Sequence, residues 1–190
     1  GLPFSSEGDV KTLGAAADPR VADSIRAGTH LGFDGATIQY VQMKYPARTS
    51  SSVIADGVEA RLIEAEAALQ NSDPAGALTI LNALRSNSAL LALRGYPANS
   101  LAPLTLQATP AAQRDQLFKE RAYWLYLTSH RLGDLRRLIR QYGLGSESVF
   151  PTGVYVHNGG TYGTDVNSPV PLAEQNNPNY VAGSCKQNQA

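Results

Sequence analysis

The chain is short of sulfur, of net charge and of long apolar runs, and each shortage removes a class of function. Its single Cys185 sits in a polar tail, so it cannot close an internal disulfide or contribute to a thiolate cluster. Lys plus Arg number 16 and Asp plus Glu 16, for a formal charge of zero. No global field therefore recruits nucleic acid or anionic lipid. The longest apolar runs are a few residues, against the ~20 that span a bilayer as a helix. Histidines are three, His30, His130 and His157, with no metal-ligand spacing between them. No Gly-x-Ser-x-Gly elbow, phosphate-cradling loop, His-Glu-x-x-His or Cys-x-x-Cys occurs. No catalytic residue, metal ligand or cofactor is expected.

What remains is a globular composition of 190 residues, 43% hydrophobic and 17% charged, a length that suits one domain. Four stretches follow in order. Residues 1–52 are a loop-rich lead-in, broken by Gly14, Gly28, Gly32, Gly35 and Pro46. Within it, Asp18-Pro19 reads as a helix cap and first position, and the β-branched and aromatic run Ala36–Met43 suits a short strand. Residues 53–86 read as a helical hairpin. Val58, Leu62, Ala65 and Leu69 make one helical stripe, Asp73-Pro74 restarts the chain, and Ala77, Leu78, Leu81 and Leu84 make the second. Such a pair has the shape of one tetratricopeptide-like unit, which cannot close its own core. Residues 87–108 return to loop. A long helix is predicted over 109–143, opened by Thr109-Pro110, with Gly133 as the place for a kink. Residues 146–190 form a loop-rich tail, in which Thr152–His157 and the turn Asn158-Gly159-Gly160 suit a small hairpin. The fold class is mainly α with extensive loops.

Two sets of side chains stand out. Glu120, Arg121, Arg131, Asp134, Arg136 and Arg137 are a helix charge set. Arg131 or His130 could meet Asp134 at a spacing of one turn. Its ordinary reading is a structural set of weak, exposed ion pairs that tie the long helix to loops, with an anion site of Arg136, Arg137 and Arg140 as an alternative. The aromatics Tyr123, Trp124 and Tyr126 could stack a sugar, but their helical spacing favours the core. Tyr155, His157 and Tyr162, in a glycine-rich loop, are the better carbohydrate-binding candidates, because binding groups concentrate on loops held by a scaffold.

Several segments, in order, resemble the C-terminal portion of the SusD/RagB family of outer-membrane nutrient-binding lipoproteins. These are Asp18-Pro19-Arg20, Lys44-Tyr45-Pro46, Glu59–Ala67, Ala77–Arg85 with Leu81-Asn82, Glu120-Arg121 with Arg131, Asp134-Leu135 and Arg137, and Val170–Pro178. Trp124 departs from a common acidic residue, and Thr128-Ser129 from Glu-Gly. The resemblance implies a partial SusD-like fold, a non-enzymatic role binding glycan or peptide oligomers, and delivery to a TonB-dependent SusC-like transporter. It also implies a surface-exposed outer-membrane location, with the lipid-anchoring Cys in preceding sequence. The alternative is a tetratricopeptide-type protein-interaction module with no small ligand.

Overall fold

The computed structural model describes residues 18–25, 31–36, 39–154, 160–181, 183, 186 and 188–190, with the side chains of Ser24 and Ile25 left aside. The chain is mainly helical. Its lead-in opens with a 3-10 turn, Pro19–Val21, where Asp18 caps as its sequence suggests. Strand β1 (Asp23–Ile25) pairs antiparallel with β2 (Tyr40–Gln42), with Asp23 opposite Gln42 and Ile25 opposite Tyr40.

Helix α1 (Gly57–Gln70) begins where the Asp56 carboxylate accepts from the Glu59 amide at 3.0 Å. It buries Val58, Leu62 and Ala65. The helix stops at Asn71, and Ser72 takes a left-handed φ of 61° to turn the chain. Helix α2 (Pro74–Ser86) starts at once, because Asp73 accepts from the Gly76 amide at 2.8 Å and Pro74 needs no hydrogen-bond acceptor in the first turn. A Cβ at Gly76 would lie 2.0 Å from the Asp73 carboxylate, so glycine is what lets this cap close. Ala65 and Ala77 are both buried, and their small size lets the two helix backbones approach.

Residues 87–108 are not wholly loop. Asn87 accepts from the Leu90 amide at 3.0 Å and starts α3 (Ser88–Leu93), which buries Leu91. The signal was an Asn cap before a short leucine-alanine run, too brief to show a helical period. Leu91 and Leu101 join Val58, Leu62, Leu81, Leu117, Trp124 and Leu125 in one core. Asn82 ties the return strand of chain down, donating to the Leu104 carbonyl at 3.0 Å and accepting from its amide at 2.7 Å.

The helix predicted over 109–143 is two helices. Thr109 caps α4 (Pro110–Trp124), and α5 runs over Arg131–Arg140. The break falls at 125–130, ahead of Gly133, which lies inside α5. Leu127 and Ser129 there have φ of 56° and 66°, while the Thr128 hydroxyl donates to the Leu125 carbonyl at 2.6 Å. No glycine or proline marks this interruption, so no ordinary helix breaker announces it. Gly143, at φ 68°, ends α5 in the left-handed geometry that glycine favours.

Length alone suggested one domain, but the described residues gather into two compact units, one ending at Ser129 and the other starting at His130. The second holds α5, α6 (Ser146–Val149) and α7 (Leu172–Gln175), with Leu135, Leu138, Val149 and Val166 buried. Among the described residues no helix is long and apolar enough to cross a membrane.

Candidate functional site

The charge set around Glu120 is not a surface feature. Arg20 is 2% exposed and Glu120 3%. Glu120 accepts from Arg20 through both carboxylate oxygens, at 2.7 and 3.2 Å. Arg85 adds a contact at 2.7 Å and the Trp124 indole N–H another at 3.2 Å. On its other side Arg20 grips Asp18, Nε to Oδ1 at 2.8 Å and Nη2 to Oδ2 at 2.6 Å. Two cations thus meet two anions. The Arg20 guanidinium also lies 5.0 Å from the ring centroids of both Tyr123 and Trp124, within cation–π range. The pair does tie the helix to the lead-in, as expected, but it is buried and not exposed, because Arg20, a hundred residues earlier in sequence, supplies the partner.

All three guanidinium nitrogens of Arg20 are hydrogen-bonded within this network. Burial works against the Arg20 charge, but hydrogen bonds to Asp18 and attraction to Glu120 outweigh it, so its pKa lies above the ordinary value. Burial likewise pushes the Asp18 carboxyl up, yet the hydrogen bonds and charge of Arg20, with Arg85 behind, hold it below its ordinary 3.8. The folded value lies below the unfolded one. Asp18 therefore contributes stability that is present above about pH 3.8 and lost as pH falls through the folded value. Acid titration of Trp124 fluorescence is expected to show a destabilisation beginning below that pH, and Asp18→Asn to remove that component.

Beside this centre lies a cluster that sequence reasoning did not single out as a site. The Lys44 ammonium donates to the Tyr126 carbonyl and stands 5.7 Å from the Tyr45 ring centroid. Burial, and then the charge of Arg94, push its pKa down, with Asp56 opposing. Arg94 itself pairs with Asp56. Burial pushes the Tyr96 phenol up, and its ring tilts against Trp124 with centroids 6.4 Å apart. The Tyr45 hydroxyl is buried with no hydrogen-bond partner. Lys44-Tyr45 was visible in the sequence only as part of a motif. Its neighbours Asp56, Arg94 and Tyr96 are brought to it by the starts and ends of α1 and α3.

In the second unit Asp134 pairs with Arg137 at 3.0 Å, and its charge also acts on Arg131, one of the partners expected at a spacing of one turn. Of the loop candidates, Tyr155 and His157 lie outside the described residues. Tyr162 is 39% exposed. Its amide donates to the Gly153 carbonyl at 2.9 Å, beside an antiparallel bridge of Val154 to Thr161. The described ends of that segment thus run as a hairpin. Tyr123 and Trp124 are buried, which leaves them no face for a sugar. Among the described residues no group of three or more His, Cys, Asp or Glu could hold a metal ion. No family model, curated protein or solved structure matches the chain.

Proposed function

We propose that the chain is the C-terminal part of a SusD/RagB-type protein that binds nutrient oligomers, glycan or peptide, at the outer-membrane surface and passes them to a TonB-dependent transporter. One observation carries the reading. Residues of three separate family-like motifs, Asp18 and Arg20, Arg85, and Glu120, converge on a single buried ionic centre. A fourth, Asn82, clamps Leu104, and a fifth, Lys44, reaches the Tyr126 carbonyl. Chance similarities scattered along a chain would have no reason to meet. In this reading the motif residues are the frame, and ligand is taken by aromatics outside it. Tyr162 supplies a ring face that suits pyranose C–H surfaces, with Tyr155 and His157 from the same stretch of sequence as the further candidates.

Oligosaccharide arrays and calorimetry on the full chain test this, together with co-purification from membranes. Binding of a saccharide or peptide oligomer is expected, weakened about tenfold, or 1.4 kcal/mol, by Tyr162→Ala. No oligomer bound and no transporter co-purifying would overturn the proposal. A second reading, a tetratricopeptide-type interaction module, is favoured by the α1–α2 hairpin and by Ile63, 55% exposed on α1. A protein partner lost on Ile63→Asp, with no oligomer binding, would select it.

A further inference from the structure

The interruption after α4 is only partly local in origin. Leu117, Trp124, Leu125 and Thr128 keep helical spacing up to and into it, and Leu132, Leu135 and Leu138 continue that spacing beyond it. Glycine and proline, the residues that ordinarily break helices, are absent from 125–130. Yet Leu127 and Ser129 both stand at positive φ, a region that L side chains disfavour and that folded proteins tolerate only where the surroundings impose it. Leu127 is 46% exposed, so its own packing does not impose it. One tertiary contact and one local one do. Lys44 holds the Tyr126 carbonyl, the acceptor that a continued α4 would offer to the His130 amide. The Thr128 hydroxyl and amide both donate to the Leu125 carbonyl, at 2.6 and 3.1 Å, which tightens the chain into a turn.

We propose that residues 125–130 are a conformational switch between a strained turn and a continuation of α4, with Lys44 holding the turned form. The two states compete for one carbonyl. A ligand or partner that draws the Lys44 ammonium away would release the strain at Leu127 and Ser129 and let α4 grow by roughly one turn. The segment adjoins Tyr123 and Trp124, so the switch sits at the end of the helix that carries the buried ionic centre. A segment at helical spacing, held in a turn by a long-range cation together with its own Thr128 hydroxyl, is bistable in the sense that switching elements require.

Amide hydrogen exchange and far-ultraviolet circular dichroism test this on the full chain. Lys44→Met is expected to slow exchange of the Thr128, Ser129 and His130 amides at least tenfold and to deepen the 222 nm band. Thr128→Ala/Ser129→Ala, which removes the turn's hydroxyl bond and raises helix propensity at sites that carry little of the core, should do the same without touching Lys44. Leu127→Gly, which suits the left-handed backbone, should raise the melting temperature and cancel the effect of either variant. If both the Lys44 variant and the alanine pair fold and exchange these amides at wild-type rates, the switch does not exist. Should the Lys44 variant fail to fold, unchanged exchange in the alanine pair overturns the proposal by itself.

Discussion

Glu120→Ala is expected to lower stability by about 3–5 kcal/mol, because it leaves buried cations without their counter-charge. Arg20 would keep Asp18, but its second side, 2% exposed, would face an empty carboxylate site. Arg85 and the Trp124 indole would lose the same acceptor. For a chain of this length the loss corresponds to roughly 6–20 °C in melting temperature. Glu120→Gln keeps the shape and two hydrogen-bonding atoms, so it should fall between the two. Thermal melts of the three proteins decide the matter: an alanine variant within a degree or two of wild type would mean that the centre is solvated in solution. Replacing Asp18, Arg20, Arg85 and Glu120 together by apolar residues should cost much less than Glu120→Ala alone. The penalty lies in a broken network and not in the absence of one.

Trp124→Ala should cost about 3–5 kcal/mol as well, the usual range for a buried aromatic. The ring is 3% exposed, faces Arg20 at 5.0 Å, and leans on Tyr96. Trp124→Phe separates packing from hydrogen bonding: it keeps a ring for Arg20 and Tyr96 and removes only the donor to Glu120. Because Glu120 and Trp124 are one turn apart and share a hydrogen bond, the double alanine variant should lose less than the sum of the singles. A Trp124→Ala protein that keeps its melting temperature while losing an oligomer ligand would place this ring in a binding surface.

The parts of this fold that local chemistry dictates were readable in advance. Asp73-Pro74 and Thr109-Pro110 open helices as their spacing suggests, and Gly143 ends one at positive φ. The stripe Val58, Leu62, Ala65 is the buried face of α1. What stayed hidden depends on residues far apart. Arg20 looked like the end of a short cap motif, and nothing near it indicated a carboxylate at position 120. The turn at 125–130 was hard to place for a related reason, since no glycine or proline marks it and one of its contacts, from Lys44, comes from the lead-in. The cluster of Lys44, Tyr45, Asp56, Arg94 and Tyr96 likewise assembles from three stretches, none of which carries a pattern alone.

The ionic centre also orders events in time. Glu120 meets Arg85 across 35 residues of chain and Arg20 across 100. Closing the longer loop costs about 0.9 kcal/mol more in chain entropy, so Arg85 should reach the carboxylate first. Mutations at Arg85 should then slow folding, whereas mutations at Arg20 should mainly speed unfolding. The lead-in would be the last part of the first unit to dock and the first to leave. The same carboxylate that looks like a static clasp is, for a refolding chain, a sequential one, engaged by α2 before the lead-in seals it.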